Sequence, residues 1–298
     1  MLNISEITNQ CLLGKCEEKL TEFPEKSVNL IVTSPPYAGI KDKYKDGFSA
    51  PPPDMYCDWF MPKVHQFSRV LADNGSFILN IDDKVIDTFR HPYVYELVCR
   101  IVKETDFKLF ERINWNKGKS LCHPKRFRNP VEHVFWFVKQ KNFTFNLDEM
   151  RTPYNPISVA RMKNPIKKRF ARTKENQDTL EYKSWKPHPK GALPSTLLNI
   201  GSVSNRRSDK HFAMFPEKFA AYFIKGGSNP GDLVLDPFAG AFTTCIAAKK
   251  LGRNYCGLDI FQEYIDDGET ELATVSSGLG AGETSSVSLS QDAEQADS

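Results

Sequence analysis

The amino-acid sequence predicts an α/β fold built around an open, largely parallel sheet. Three short and almost fully apolar runs, at 27–33, 232–236 and 254–260, are typical of strands that are buried on both faces. Segments with the apolar spacing of helices alternate with these runs, which favours parallel strands joined by helices. With 298 residues, of which 40% are hydrophobic, the chain fits one large domain with an insertion, or one domain plus a smaller one.

The first half of the chain holds most of the strand candidates. Strands are expected at 10–13, 27–33, 76–81, 107–115 and 131–138, and helices at 54–71 and 93–102. Pro35 and Pro36 end the second of these strands, because proline lacks an N–H donor and fixes φ. Pro62 interrupts the first helix and is expected to kink it. Asn74 and Gly75 are expected to end that helix before the next strand.

The second half begins with an irregular segment. Prolines and basic residues dominate 142–205, which predicts an insertion rather than more of the sheet. Order returns with an amphipathic stretch at 211–224, a strand at 232–236, a helix at 241–252 and a strand at 254–260. Beyond residue 267 the chain is rich in Gly, Ser and Glu with almost no large apolar residue, which predicts a disordered tail.

Composition argues against several classes of protein. The seven cysteines are scattered without a CxxC pair, which predicts reduced thiols in a cytoplasmic protein rather than a disulfide framework or a zinc site. The N-terminus lacks the pattern of a signal peptide, and the apolar runs are too short to span a bilayer. The histidines show no metal-ligand spacing, so we expect no metal. Because the apolar runs are too short to span a bilayer, we also expect no membrane partner.

Charge is unevenly distributed along the chain. The net charge is +3, yet 268–298 contains six acidic residues and no Lys or Arg. Between 151 and 190, eleven Lys or Arg residues stand against three acidic ones. A basic block inside a folded chain indicates a polyanion such as nucleic acid as partner, but a solvated loop has the same composition. Charge alone leaves both interpretations open.

The segment Asp236-Pro237-Phe238-Ala239-Gly240 follows a strand candidate and precedes a helix candidate. Ligands of doubly wound sheets bind at the carboxyl ends of strands, where a glycine lets the backbone approach them. Asp259 ends the next strand and suits the two hydroxyls of a ribose. The alternative is another nucleotide-binding fold, such as a dehydrogenase. Because GxGxxG is absent, a cofactor without phosphates, such as S-adenosylmethionine, fits better.

The segment Thr33-Ser34-Pro35-Pro36-Tyr37 also lies at the carboxyl end of a strand candidate. Methylation of a base amino group is helped by two acceptors for the amino hydrogens, which leave the nitrogen lone pair free to react. Ser34 Oγ provides one acceptor and a carbonyl of the rigid Pro-Pro segment the other. Tyr37 can stack on an extruded base. An ordinary proline turn is the alternative for this segment alone.

Together, TSPPY and DPFAG resemble the amino-methyltransferases of DNA, especially the cytosine-N4 enzymes of restriction-modification systems. TSPPY comes before DPFAG, which is the order of the circularly permuted beta class. Further segments are similar to the family, namely GKCEEKLTEFPEKSVNLIVTSPPY, RFRNPVEHVFWFVK and HFAMFPEKFAAYFI. The resemblance covers 10–140 and 205–265.

The resemblance implies a Rossmann-like class I fold, with a mixed seven-stranded sheet flanked by helices, and S-adenosyl-L-methionine as cofactor. It divides the chain into a catalytic half (1–141), a target-recognition region (142–205), a cofactor-binding half (206–267) and a disordered tail (268–298). The catalytic motif would be formed by Ser34, Pro35, Pro36 and Tyr37. The cofactor would be bound by Asp236, Phe238, Gly240, Thr243, Thr244, Asp259, Phe215, Lys218 and Cys16.

The implied substrate is double-stranded DNA, with a cognate restriction endonuclease acting on the same site as an expected partner. The basic residues expected to contact phosphates are Lys117, Lys119, Lys125, Arg126, Arg128, Lys167, Lys168 and Arg169. The target-recognition region would also read guanine edges in the major groove. The reaction would be a direct transfer of methyl from sulfur to nitrogen after base flipping, without a covalent enzyme intermediate.

Two alternatives remain beside a cytosine-N4 enzyme. An adenine-N6 methyltransferase has the same architecture, and a DNA-binding relative could have lost cofactor binding. Three departures motivate the second alternative: Lys15 replaces a frequent Asp, Phe242 replaces a small residue or Asn, and the segment after Asp259 is short. Ser34 favours cytosine, since its hydroxyl can accept from the amino group and donate to the adjacent ring nitrogen. By resemblance, Ser before the prolines accompanies cytosine more often than adenine.

Overall fold

The computed structural model describes residues 1–40, 48–118, 125–163, 187–202 and 215–276. Its strands are β1 (Gln10–Leu13), β2 (Val28–Thr33), β3 (Leu71–Ile81), β4 (Lys84–Ile86), β5 (Phe89–His91), β6 (Lys108–Asn116), β7 (Val131–Val138), β8 (Leu197–Asn199), β9 (Leu233–Asp236) and β10 (Asn254–Asp259). Its helices are α1 (Ile4–Ile7), α2 (Cys16–Lys19), α3 (Pro53–Val70), α4 (Tyr93–Glu104), α5 (Pro156–Lys163), α6 (Glu217–Gly227), α7 (Thr243–Lys250) and α8 (Gln262–Thr274).

One mixed sheet organises the molecule, with the strand order β1-β10-β9-β2-β3-β7-β6-β8. The pairs from β1 through β3 are parallel, β7 is antiparallel to both β3 and β6, and β8 is parallel to β6. Within this sheet of described strands, only β7 therefore runs against the others. The expected α/β fold is confirmed, and the carboxyl ends of β1, β2, β9 and β10 meet at one edge.

The sheet separates two apolar layers. On one face α3 and α4 cover the strands, with Phe60, Phe67 and Phe77 fully buried. On the other face α6, α7 and α8 cover them, and Phe223 packs near Trp136 at 6.0 Å between ring centroids. Burying both faces explains why the central strands are continuous apolar runs rather than alternating ones.

Helix α3 begins at Pro53, continues through Pro62 and ends at Val70. β3 starts at once with Leu71, so Asn74 and Gly75 lie inside the strand rather than between helix and strand as expected. A Cβ on Gly75 would come within 2.7 Å of Asn29 O on the neighbouring segment. The glycine thus permits the close approach of the two backbones where the register of β2 against β3 shifts.

Parts of the region 142–205, which was expected to form a separate target-recognition region, pack into the core around the sheet. β8 adds an eighth strand to the sheet, where seven were expected. Met150 is 3% exposed and fills the space beside Gly226 of α6, where a Cβ would lie 2.2 Å from its Sδ. The short apolar contacts of this segment escaped detection because they are isolated among polar residues.

The disordered tail does not begin at residue 268 as expected. α8 continues to Thr274, with Gly268 buried and Leu272 only 2% exposed against the core. These two buried positions are sufficient to hold a polar stretch on the core, because α8 buries only one narrow face. Residues 277–298 lie outside the described residues. Within the described ranges, no helix has the length and apolar character needed to cross a membrane.

Candidate active site

A cavity of about 700 Å³ opens at the carboxyl edge of the sheet. Loops after β1, β2, β9 and β10 form its walls together with α3. Its lining residues include Gly14, Cys16, Glu17, Ser34, Pro36, Trp59, Lys63, Phe215, Phe238, Gly240, Thr243, Asp259 and Phe261. This volume and the mixture of aromatic and charged walls are typical of a site for a nucleoside-sized ligand.

Asp259 ends β10 at the wall of the cavity. Its Oδ2 accepts from the Gly240 N–H at 2.9 Å, and its Oδ1 accepts from the Phe261 N–H at 3.1 Å. Burial raises the pKa of this carboxyl above its usual range, although the backbone N–H groups act in the opposite direction. The carboxylate therefore joins the two loops and still presents acceptor capacity to the cavity.

Asp236, at the end of β9, has a mainly internal role. Its Oδ1 accepts from Thr33 Oγ1 at 2.7 Å and from the Phe238 N–H at 3.1 Å, and its Oδ2 accepts from Thr244 Oγ1 at 2.7 Å. Burial raises the pKa of Asp236 to about 6. These bonds tie the end of β2, which carries Ser34, to the loop that carries Phe238.

Of the nine residues expected to bind the cofactor, seven line the cavity and two do not. Asp236, Phe238, Gly240, Thr243, Asp259, Phe215 and Cys16 line the cavity. Thr244 does not, because its side chain is fully buried and bonded to Asp236. Lys218 does not line it either, since it lies exposed on the first turn of α6. Both corrections arise because neighbours on a helix point in directions about 100° apart.

Lys63, Glu17 and Trp59 are among the cavity residues that were not expected from the sequence. Lys63 of α3 is 3% exposed, and its Nζ lies 3.1 Å from Glu17 Oε1 and 4.0 Å from the Trp59 ring centroid. Glu17 stands two residues after Lys15, which occupies the position of the Asp that is frequent in the resembled family. Lys63 carried no sequence signal, because it occupies one position of a long amphipathic helix.

Phe242 occupies the loop between β9 and α7 with a left-handed backbone, at φ 56°. Its ring is fully buried in the space left by two glycines. A Cβ on Gly257 of β10 would lie 2.4 Å from this ring, and a Cβ on Gly268 of α8 would lie 2.3 Å from it. The unusual residue therefore packs into the core behind the loop and does not enter the cavity.

The segment from Ser34 to Tyr37, which is the expected catalytic motif, is held by residues from two further strands. Asn80 Nδ2 of β3 shares its two hydrogens among three acceptors, Ser34 Oγ at 3.2 Å, Tyr37 Oη at 2.8 Å and Glu132 Oε2 of β7 at 2.9 Å. Tyr37 Oη donates to Glu132 Oε2 of β7 at 2.7 Å, and Ser34 Oγ donates to Tyr37 Oη at 3.3 Å. Lys117 pairs with the other oxygen of Glu132. Asn80 and Glu132 were not expected, because single polar residues in apolar strands give no motif.

This network adds hydrogen-bond partners to the motif. Ser34 Oγ donates to Tyr37 Oη at 3.3 Å in this arrangement, so the expected donation to a ring nitrogen of the base stays a prediction that requires the hydroxyl to rotate. The Tyr37 ring was expected to stack on the base, and hydrogen bonds hold its hydroxyl in addition. Burial, followed by the Glu132 charge, raises the pKa of that hydroxyl. Tyr56 Oη donates to the Pro36 carbonyl at 2.9 Å, which fixes the Pro-Pro segment.

The expected DNA-binding residues fall into three groups. Lys125 and Arg128 are exposed beside the catalytic edge, and Arg126 donates to the Thr88 carbonyl of the β4–β5 turn. Lys117 pairs with Glu132, and its contact with phosphate stays a prediction. The expected residues Lys119, Lys167, Lys168 and Arg169 lie outside the described residues.

The Rossmann-like fold and a nucleoside-sized cavity beside a Ser-Pro-Pro-Tyr segment define a class I methyltransferase. A sequence model of the DNA methylase family with N6 and N4 members matches residues 28–270. The chain therefore belongs to this family of DNA methyltransferases, and S-adenosyl-L-methionine is its cofactor.

Relatives and solved structures agree with this assignment. The chain is 30% identical over 274 residues to Type II methyltransferase M1.MboII of Moraxella bovis, covering 89% of this chain and 95% of the relative. It is 29% identical to DNA adenine methyltransferase YhdJ of Escherichia coli, covering 88% and 82%. The PvuII DNA methyltransferase (cytosine-N4-specific) has a similar fold, with a TM-score of 0.64, 22% identity, and 87% and 84% coverage. A putative DNA modification methylase of Thermus thermophilus, complexed with S-adenosyl-L-methionine, has a TM-score of 0.59, 21% identity, and 89% and 93% coverage.

Proposed function

We propose that the protein methylates the exocyclic N4 of cytosine in duplex DNA after the base has been flipped out of the helix. One observation carries this proposal: Ser34 lies at the wall of the cavity, with its hydroxyl proton directed inward to Tyr37. A lone pair of Ser34 Oγ is then available to an amino hydrogen entering from the cavity. Extrusion is required because the amino nitrogen is inaccessible inside a duplex.

The side chains around the cavity suit S-adenosyl-L-methionine. Asp259 would accept from the ribose hydroxyls, and Phe215 and Trp59 offer apolar walls for the adenine. Glu17, beside Cys16, is placed to accept from the adenine amino group. The loop of Phe238, Gly240 and Thr243 would hold the methionine portion. When bound, the cofactor supplies an electrophilic methyl group.

The chain itself has to orient the amino group. Ser34 Oγ would accept one amino hydrogen and the Pro35 carbonyl the other, because the Pro36 carbonyl already accepts from Tyr56. With both hydrogens held, the nitrogen lone pair is directed towards the methyl group. The ring of Tyr37 would lie against the base, while its hydroxyl stays bonded to Glu132.

DNA would approach the exposed basic residues Lys125 and Arg128 next to the catalytic edge. The basic block at 151–190 would follow phosphates and read the target sequence. A restriction endonuclease that cuts the same sequence is the expected partner, since methylation would protect host DNA from it.

Two experiments test this proposal. Labelled cofactor and mixed-sequence duplex DNA are incubated with the protein, and the products are digested to nucleosides and separated by mass. Label in N4-methylcytosine supports the proposal, whereas label only in N6-methyladenosine shows that the second candidate is correct. Ser34→Ala is expected to lower turnover by about tenfold to a thousandfold, with cofactor affinity unchanged.

Adenine-N6 methylation remains the second candidate because the relative YhdJ, 29% identical, is an adenine methyltransferase. A DNA-binding relative without cofactor affinity is disfavoured by the position of Phe242, which leaves the cavity open. Calorimetric titration with S-adenosyl-L-methionine distinguishes the latter, since a pure binding protein would show no saturable heat.

A further inference from the structure

A buried carboxylate lies directly behind the catalytic motif. Glu132 is 8% exposed, and its Oε2 accepts from Tyr37 Oη at 2.7 Å and from Asn80 Nδ2 at 2.9 Å. Its other oxygen pairs with Lys117. Orientation of the amino group by Ser34 and a carbonyl requires none of these contacts. Orientation of the amino group therefore does not explain why the protein buries this carboxylate, whose burial is costly unless it is paired.

The hydrogen bonds of this cluster have a fixed direction. A carboxylate can only accept, so the Tyr37 proton points to Glu132 and the Tyr37 oxygen is left as an acceptor. Ser34 Oγ donates to that oxygen at 3.3 Å. Asn80 Nδ2 also lies 3.2 Å from Ser34 Oγ, and it shares its two hydrogens among Ser34 Oγ, Tyr37 Oη and Glu132 Oε2. A continuous chain of donors thus leads from the cavity through Ser34 and Tyr37 to Glu132.

We propose that Glu132 is the final acceptor of the proton that leaves the amino nitrogen during methylation. As the bond between nitrogen and methyl forms and the bond between methyl and sulfur breaks, the nitrogen becomes cationic and acidic. Its proton passes to Ser34 Oγ, the Ser34 proton passes to Tyr37, and the Tyr37 proton passes to Glu132 Oε2. The products are a neutral methylamino base, a neutral thioether and a protonated Glu132, with both hydroxyls restored.

This inference rests on the proposed function, namely methylation of an amino group at Ser34. The inference adds to the proposed function a destination for the proton inside the protein. Asn80 cannot take up the proton, because an amide is not basic, so it positions the two hydroxyls. Glu132 touches neither base nor cofactor in this arrangement and acts through Ser34 and Tyr37.

Several charged or titratable groups lie near Glu132. Lys117 pairs with it from the end of β6, Asp82 at the end of β3 interacts with its charge, and His133, its neighbour on β7, lies beside Asp83. Burial, then the charges of Glu132 and Asp83, raise the pKa of Asp82 to about 6. Asp83 itself pairs with Arg90 of β5. Any profile of rate against pH therefore contains Asp82 as a second titrating group.

The test replaces Glu132 with Gln, which keeps its size and can accept from Tyr37 but cannot be protonated. Single-turnover methylation is measured from about pH 5 to 9. We expect the rate to fall by about a hundredfold to ten-thousandfold and the low-pH decline of the native protein to disappear. Tyr37→Phe interrupts the same chain and should give the same flattened profile. Glu111→Gln, on the exposed face of β6, is the matched control and should behave as the native protein.

The outcomes separate the inference from the proposed function. A native protein that methylates no DNA would contradict the proposed function itself. An active native protein, with Glu132→Gln and Tyr37→Phe retaining its rate, or retaining its low-pH decline once Asp82 is also replaced by Asn, would contradict only the relay. If Glu132→Gln fails to fold, Tyr37→Phe decides, because it leaves the pair between Glu132 and Lys117 intact. Asp82→Asn identifies any part of the decline that belongs to Asp82.

Discussion

At the scale of single residues, the two acids of the cofactor edge have different roles. Asp259 holds the Gly240 and Phe261 N–H groups from the cavity wall, whereas Asp236 is buried among Thr33, Thr244 and the Phe238 N–H. The first lies at the cavity wall, and the second connects the segment after β2 to the loop after β9. Substitution should therefore affect binding in one case and pH-dependent stability in the other.

Asp259→Ala is expected to weaken binding of S-adenosyl-L-methionine by about 2–3 kcal/mol, the range for hydrogen bonds to a charged group. The change removes the ribose acceptor as well as the bonds that fix the two loops. Calorimetry measures the dissociation constant. Asp266→Ala, on the exposed face of α8, is the control and should bind normally, as should Lys218→Ala. Native affinity in Asp259→Ala would mean that β10 does not border the cofactor.

Asp236 makes stability depend on pH. Its pKa is about 6 in the folded protein against 3.8 for the ordinary side chain, so the folded state binds the proton more tightly. This stabilisation is complete below pH 3.8 and is lost as pH rises through about 6. Relative to Asp236→Asn, the native protein should therefore gain roughly 3 kcal/mol on going from neutral to acidic pH. Urea unfolding of both proteins across this range checks it, and a constant difference would refute it.

At the scale of secondary-structure elements, the cofactor loop depends on a fit between a large residue and two small ones. Phe242 fills the space between Gly257 and Gly268. Gly268→Ala should destabilise the fold by about 1–3 kcal/mol, because its Cβ would overlap the ring. Gly201→Ala, which meets no atom within 4 Å, is the matched control. Urea denaturation gives the free energies of unfolding.

A double-mutant cycle separates this overlap from a simple loss of helix stability. Phe242→Leu makes room for the added methyl group, so Phe242→Leu with Gly268→Ala should cost less than the sum of the two single changes. Strict additivity would show that the two side chains do not compete for the same space.

The strands and the cavity wall were predictable because local pattern specifies them. β2, β9 and β10 are continuous apolar runs, and the residues that end them, Ser34, Asp236 and Asp259, lie at the shared edge. β8 was not predictable, because three residues show no period. Asn80 and Glu132 were missed for a related reason: each is one polar residue within an apolar strand, and only the pairing of β3 with β7 brings them together.

The fit of Phe242 is likewise a property of three distant segments. In the sequence it is a departure from the family, and neither Gly257 nor Gly268 belongs to a motif. The compensation becomes visible only when β10 and α8 are packed against α7. Local patterns thus specify which elements form, while contacts between elements decide the roles of single side chains inside them.

At the scale of the whole molecule, α8 adds the C-terminal buried contacts of the described core. Leu272 is 2% exposed and its carbonyl accepts from Lys249 Nζ at 2.8 Å. A chain ending at Thr270 loses this side chain and should be less stable by about 2–5 kcal/mol. A chain ending at Ser276 should keep the native melting temperature, because the remaining residues are polar and acidic. Equal melting temperatures for both would show that Leu272 contributes nothing.

The distribution of charge over the whole chain determines how it meets DNA. Because 268–298 carries six acids, the rest of the molecule is more basic than the net charge of +3 suggests. Simultaneous replacement of Lys167, Lys168 and Arg169 by Gln should weaken binding to all duplex sequences alike. The slope of log affinity against log salt should become less negative by about 0.9 for each phosphate that is no longer neutralised, since each neutralised phosphate releases condensed counterions.

Lys103→Gln, at the end of α4 and away from the catalytic edge, is the control and should leave the slope unchanged. Fluorescence anisotropy over a salt series measures both slopes. An unchanged slope in the triple variant would show that these residues do not touch phosphate, and that another part of the basic block binds the DNA.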